Sequence, residues 1–156
     1  MAQKLNEGDI FPSFILPNHE GELVEFSAFI GKYPIVLFFY PKDNTPGCIA
    51  EVKSFNDTLE QFQNIGAKVF GVSSDSIESH HKFACKYELN YPLLCDEDGS
   101  VRNKTFGVPK DLFGLIDGRC TYVADIKGKI IKIYDALSGK HHNLAALDAL
   151  KDLGEQ

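Results

Sequence analysis

One uninterrupted apolar run, Ile35-Val-Leu-Phe-Phe-Tyr40, constrains this chain more than any other stretch, because it stops at Pro41 and a cysteine, Cys48, follows within eight residues. The run is β-branched and aromatic, which reads as a buried strand, and the proline ends it. In the segment Pro41-Lys-Asp-Asn-Thr45-Pro46-Gly47-Cys48, Thr45 suits a helix N-cap. Pro46 suits the first helical position, where its missing N–H is not needed. That count predicts Cys48 in the first helical turn, among backbone N–H groups without intrahelical partners. Thr45 Oγ1, acting as a cap, would reach the N–H of Cys48 itself. The positive end of the helix dipole favours a thiolate there, and cysteines so placed titrate between roughly 3.5 and 7.5 rather than near 8.5. The segment predicts a reactive cysteine.

Phe14–Leu16 and Leu23–Phe26 flank the turn-like Pro17-Asn-His-Glu-Gly21 and predict a first hairpin, with a single helical turn over 27–30 stopped by Gly31. In the helix opened by Thr45, the residues Val52, Phe55, Leu59 and Phe62 recur at three- and four-residue steps. That seam leaves Glu51, Lys53 and Asn56 off it. Ala67–Val72 predicts the next strand. Ser74 or Asp75 is expected to cap a helix running to about Tyr87, with Ile77, Ala84 and Tyr87 facing inward. Asp96–Gly99 reads as a turn and Ser100–Phe106 as a short helix ended by Gly107. Thr121–Ala124 and Ile130–Tyr134 predict a second hairpin, and Asn143 a cap for a closing helix with Leu144, Leu147 and Leu150 on one face. The order hairpin, β, α, β, α, hairpin, α predicts one layered α/β domain over residues 1–156, built on a mixed central sheet.

Bulk properties remove several function classes. The net charge of −6 leaves no basic stripe for a nucleic-acid backbone. No apolar stretch reaches membrane-spanning length, and the opening Met-Ala-Gln-Lys-Leu-Asn-Glu-Gly-Asp lacks the apolar core of a secretory signal. Cys48, Cys85, Cys95 and Cys120 are too thinly spread for a secreted disulfide framework. A cytoplasmic, reducing location is expected, with any disulfide transient.

The chain resembles the peroxiredoxins, and among them the bacterioferritin-comigratory or Q-type group. Pro41, Thr45 and Cys48 match the family's proline, threonine and cysteine spacing. Gly8-Asp-Ile-Phe-Pro12, Phe38-Phe-Tyr-Pro-Lys-Asp43, Gly71-Val-Ser-Ser-Asp75, Tyr91-Pro-Leu-Leu94 and Gly118-Arg-Cys-Thr-Tyr122 resemble successive family blocks in order. Phe106-Gly-Val-Pro-Lys-Asp-Leu-Phe-Gly114 is similar to plant and cyanobacterial members. The resemblance implies a thioredoxin-like fold and a peroxidase that reduces hydrogen peroxide and organic hydroperoxides through a sulfenic acid on Cys48. It implies that Arg119 holds the thiolate and stabilises charge on the departing oxygen. Thr45 would orient the peroxide, Pro41 shield the sulfur, and Glu51 hold the arginine. It calls for no metal or organic cofactor, and for recycling by thioredoxin or a similar dithiol. Monomer is the default, since no segment forces an interface.

Two positions depart from the family pattern. Lys53 stands where many Q-type chains carry a resolving cysteine, and Ile49 replaces a common threonine. Some members place the resolving thiol on the next helix, which here points to Cys85 in Lys82-Phe-Ala-Cys-Lys86. Cys85 lies roughly 200° around a helix from Phe83, so a buried Phe83 turns it outward. Bridging to Cys48 requires Cα atoms within roughly 7 Å, which implies local unwinding over residues 45–54. Cys95 is a weaker resolving candidate. Strand alternation puts Cys120 on the face opposite Arg119, in the core. The histidines His80, His81, His141 and His142 lack a spaced ligand set and read as solvated. The alternatives are a one-cysteine peroxidase resolved by an external thiol, a disulfide oxidoreductase, and a non-catalytic thioredoxin-fold binding module. The second lacks its usual Cys-x-x-Cys, because Cys48-Ile-Ala-Glu51 offers one cysteine.

Overall fold

The computed structural model describes residues 5–111, 114 and 116–154. A short hairpin, β1 (Ile15–Pro17) and β2 (Leu23–Glu25), leads through a 3-10 turn at Phe26–Ala28 into β3 (Ile35–Phe39). Helices α1 (Pro46–Asp57) and α2 (Leu59–Ile65) follow, then β4 (Lys68–Ser73), α3 (Ile77–Lys86) and β5 (Leu93–Cys95). A π-helical turn at Val101–Phe106 precedes the two-residue strands β6 (Lys110–Asp111) and β7 (Ile116–Asp117). The chain closes with β8 (Cys120–Ala124), β9 (Ile130–Asp135) and α4 (His142–Gly154).

The expected apolar run is the middle strand of a five-stranded sheet in the order β5-β4-β3-β8-β9. β3 pairs parallel with β4 and antiparallel with β8, so the sheet is mixed. Every residue of β3 is buried, as a central strand covered on both faces requires. Its alternate side chains divide the core. Val36, Phe38 and Tyr40 meet α1, α2, α3 and α4 through Val52, Phe55, Phe62, Phe83 and Leu147. Ile35, Leu37 and Phe39 meet the N-terminal hairpin and the π-turn through Phe14, Phe26 and Phe106. Phe38 stacks on Phe55 at 4.0 Å with the rings 3° from parallel, which fixes α1 on the sheet. Gly71 lies opposite Phe38 in the register, and a Cβ there would sit 2.7 Å from the Phe38 ring. That glycine is what lets the ring lie across β4.

Several local expectations are corrected. The helix opened by Thr45 is two helices: the Thr58 hydroxyl donates to the Ser54 carbonyl at 2.8 Å, and the backbone leaves helical geometry there. The cap of α3 is Ser76, whose Oγ accepts from the Ser79 N–H at 3.1 Å, rather than Ser74 or Asp75. Ile77 is exposed, and Phe83 and Ala84 carry the buried face. Asn143 lies inside α4; its Nδ2 donates to the Ser54 carbonyl and to Thr58 Oγ1, tying α4 to the α1–α2 junction. Leu144 is exposed while Leu147 and Leu150 are buried. Glu51, read as off the seam, is fully buried. Leu112 and Phe113 of the 106–114 segment lie outside the described residues, as do Met1 to Lys4.

Candidate active site

β3 ends at Phe39, and the loop from Tyr40 to Thr45 delivers the chain into α1. Thr45 is the N-cap in extended conformation and Pro46 the first helical residue, so Cys48 occupies the third position of the first turn. The Thr45 carbonyl accepts the first helical bond, from Ile49 N–H at 2.8 Å. Its side chain, however, does not cap. Thr45 Oγ1 donates back to the Lys42 carbonyl at 2.9 Å, which tightens the loop and leaves the first turn without a side-chain cap. Pro41 is half-buried at the head of this loop.

Cys48 is fully buried, with Arg119 against its sulfur. Arg119 stands immediately before β8, and its Nη1 donates to Cys48 Sγ at 3.2 Å and to Glu51 Oε1 at 2.9 Å. Its Nε donates to the Leu137 carbonyl at 2.8 Å, in the loop between β9 and α4. The guanidinium is thus held by two chain segments, α1 and the loop between β9 and α4, which fix a charged donor at hydrogen-bond distance from the sulfur. Gly47 makes this approach possible, since a Cβ there would lie 2.5 Å from Arg119 Nη2. Gly139 has the same duty on the other side, because a Cβ would collide with the Gly47 carbonyl oxygen.

Glu51 is an unusual anchor. Burial pushes its carboxyl from the usual 4.5 up to about 8, against the opposing pull of Arg119. Its Oε2 is a buried oxygen without a hydrogen-bond partner among the described residues, 3.8 Å from His142 Nδ1. His142 is buried rather than solvated. Its Nε2 lies 3.0 Å from the Ala136 carbonyl and its Nδ1 2.7 Å from Thr121 Oγ1. A carbonyl can only accept, so Nε2 carries the hydrogen and the threonine hydroxyl donates to Nδ1. Burial lowers the His142 pKa, consistent with this neutral ring.

Of the other predicted residues, Cys85 is exposed on α3 beside a buried Phe83, as the helical geometry anticipated. Its Sγ lies 3.8 Å from His81 Nε2. Arg119, Glu51 and Cys48 come together; Cys85 stands apart from them, at the surface of another helix. Cys95 is buried, and burial beside Glu97, Asp43 and Asp75 pushes its thiol up to about 12, an inert state. Cys120 is buried on the sheet face opposite Cys48. His80, expected to be solvated, is fully buried and bound to Asp43. Asp43 carries no mark of this role in the sequence, and nothing local in the sequence distinguishes His80 from its neighbour His81.

The chain matches the AhpC/TSA family over residues 8–133. It is 47% identical to the chloroplastic peroxiredoxin Q of Triticum aestivum over 132 residues, covering 85% of this chain and 60% of that protein. It is 48% identical to that of Sedum lineare, covering 85% and 70%. The chain therefore spans about 60% of the wheat protein's length. Among solved structures, peroxidoxin BcpB of Mycobacterium tuberculosis superposes with a TM-score of 0.86 at 34% identity, over 96% of this chain and 98% of that one. The bacterioferritin comigratory protein of Xanthomonas campestris gives 0.80 at 31% identity, over 90% and 91%. Near-complete structural superposition and sequence identity that spans the cysteine segment agree: the chain belongs to the peroxiredoxins of the AhpC/TSA family, in their Q-type branch.

Proposed function

We propose that this protein is a thiol-dependent peroxidase acting on hydrogen peroxide and organic hydroperoxides. The single observation that carries the reading is the 3.2 Å contact from Arg119 Nη1 to the buried sulfur of Cys48. A sulfur lone pair on the Cys48 thiolate attacks one peroxide oxygen, the O–O bond breaks, and the departing oxygen leaves with the bond pair and takes up a proton as water or alcohol. Cys48 becomes a sulfenic acid. Arg119 holds the thiolate before the attack and lowers the energy of negative charge on the departing oxygen. Glu51 keeps the guanidinium in place from behind. Thr45 orients the peroxide and Pro41 keeps bulk water from the sulfur. A relative's described activity, alkyl peroxide reduction by the Xanthomonas campestris protein, supports the substrate class.

For the second half of the cycle we assign Cys85 as the resolving thiol. The Cys85 thiol gives up its proton and its sulfur attacks the Cys48 sulfenic sulfur, forming the disulfide while the displaced hydroxide takes up a proton and leaves as water. A thioredoxin-type dithiol then returns both cysteines to the reduced state. Exposure of Cys85 and its contact with His81 support the role. Cys48 is buried and Cys85 faces solvent, so the step requires the first turn of α1 to unwind. We assign no metal or organic cofactor to the cycle and treat the protein as a monomer in a reducing compartment, the cytoplasm, without nucleic-acid or membrane partners. Among the described residues no helix is long and apolar enough to cross a membrane.

The test is peptide mapping by mass spectrometry, after reduced protein meets one equivalent of hydrogen peroxide and free thiols are trapped. A Cys48–Cys85 disulfide is expected. A sulfenic acid on Cys48 with Cys85 free would replace this cycle by a one-cysteine cycle resolved by an external thiol. An unmodified Cys48 would overturn the peroxidase reading.

A further inference from the structure

Asp43 lies in the loop that leads into α1, five residues before Cys48; His80 lies on α3, five residues before Cys85. The two side chains meet in the interior, each almost fully buried. Asp43 Oδ2 is 2.7 Å from His80 Nδ1 and accepts from Ser79 Oγ at 2.9 Å. Asp43 Oδ1 accepts from the Tyr40 hydroxyl at 2.7 Å, and the Asp43 N–H donates to Asp75 Oδ2 at 2.8 Å. On the far side of the ring, His80 Nε2 is 2.9 Å from the Leu94 carbonyl oxygen and 3.5 Å from Ser73 Oγ.

These contacts determine a proton count. The Leu94 carbonyl has no hydrogen to give, so Nε2 carries one. A second hydrogen must lie between Nδ1 and Oδ2, or two lone pairs would face each other at 2.7 Å in a medium without water. Asp43 also accepts from the hydroxyls of Tyr40 and Ser79, so both of its oxygens are engaged and the shared hydrogen ties the loop to α3. Asp43, Asp75 and His80 stand close enough to suggest a cation site. Their facing atoms are spent on one another and on Ser73, Ser79 and the Asp43 N–H, so the cluster reads as a closed knot.

We propose that Asp43 and His80 form a buried hydrogen-bonded latch that positions Cys48 for the peroxide reaction, and whose opening frees both cysteine-bearing helices for the disulfide step. The second half of this proposal rests on Cys85 being the resolving thiol; the first does not. Mechanically, the latch pins the loop on both main chain and side chain at Asp43. The next residue, Asn44, sits in the left-handed region at φ 65°, and Thr45 then starts the helix. Asn tolerates that conformation better than most residues, yet the position stays unfavourable without an anchor. Released at Asp43, the loop can relax at Asn44, and the first turn of α1 loses its fixed start. The same event frees Ser79 and His80 at the N-terminal half of α3. One buried contact therefore holds both cysteine segments in the arrangement suited to peroxide and opposes the one suited to disulfide formation.

The experiment has two readouts on the full chain. Proton and long-range proton–nitrogen spectra of the reduced wild type are expected to show a downfield hydrogen held between His80 Nδ1 and Asp43; absence of that hydrogen overturns the latch. Asp43→Asn keeps the shape and removes the charge. In that variant, Cys48 oxidation by peroxide is expected to slow about tenfold, the worth of one weakened charge-assisted hydrogen bond, while disulfide formation is not slowed. Amide exchange should quicken in residues 44–52 and 77–86 together. A variant that keeps both rates while its melting temperature falls would show a merely structural pair and overturn the proposal. Absence of any disulfide in the wild type removes Cys85 from the cycle and leaves the latch to be judged on the nitrogen spectra and the oxidation rate.

Discussion

Replacing Gly47 by alanine isolates the Arg119–Cys48 contact without touching either residue. Gly47 sits in the first turn of α1, and its φ is not among the positive ones, so alanine fits the backbone and should favour the helix by up to about 1 kcal/mol. The added Cβ, however, would lie 2.5 Å from Arg119 Nη2 and 3.4 Å from its Cζ. Ordinary contact between such atoms begins near 3.5 Å, so the guanidinium must withdraw by about 1 Å. It is held elsewhere by the Leu137 carbonyl and Glu51, and the withdrawal stretches the 3.2 Å bond to sulfur beyond hydrogen-bond range. Loss of a hydrogen bond to a charged group costs about 1.5–3 kcal/mol, hence about 10- to 150-fold in rate. Rapid-quench alkylation with intact-mass detection gives the rate of Cys48 oxidation, and urea unfolding in parallel gives stability. We expect slow oxidation at undiminished stability. A wild-type oxidation rate in Gly47→Ala would refute the role given to Arg119, and a rate loss that tracks stability would refute the local explanation.

Three further outcomes are expected. Cys48→Ser should keep cooperative unfolding and lose all peroxide turnover in a coupled reductant assay; retained turnover would move the chemistry to another residue. Glu51 holds its proton more tightly folded than unfolded, at about 8 against 4.5, so its contribution to stability is complete below 4.5 and is lost as pH rises through 8. The span bounds the effect at about 5 kcal/mol. Wild-type stability should therefore fall from about pH 5 to about pH 8 relative to Glu51→Gln, and equal pH profiles in denaturant titrations would refute the assignment. Phe55→Ala removes the ring stacked on Phe38 and should cost about 3–5 kcal/mol, read from urea midpoints; a loss below 1 kcal/mol would show that α1 docks by other contacts.

Much of this was legible in the chain because the signals were local and strong. The run from Ile35 to Tyr40 could only be a doubly covered strand, and Thr45-Pro46 could only open a helix, so the first-turn place of Cys48 followed by counting. Cys85 facing outward followed from its spacing to Phe83. What escaped was set by tertiary contacts. The break at Thr58 depends on a hydroxyl that bonds backward to Ser54. Thr45 has the residue type of a side-chain cap, yet its hydroxyl finds the nearer Lys42 carbonyl. Glu51 looked solvent-facing by helical spacing and is buried, because Arg119 supplies the partner that makes burial tolerable. His80 and His142 carry no sequence mark of burial; each is drawn inside by a partner distant in the chain, Asp43 for one and Thr121 for the other.

The hydrogen bond between Arg119 and Cys48 joins residues 71 positions apart, and Leu137, which anchors the arginine, comes later still. A ribosome adding 5–20 residues per second makes Cys48 roughly 4–14 seconds before Arg119. Throughout that interval the thiol lacks its guanidinium, the buried Glu51 carboxyl and its fixed helix start. On the proposed peroxidase reading, the nascent chain is thus a poor target for peroxide. Completion of folding is the arming step, and a truncated chain that never reaches Leu137 stays unarmed.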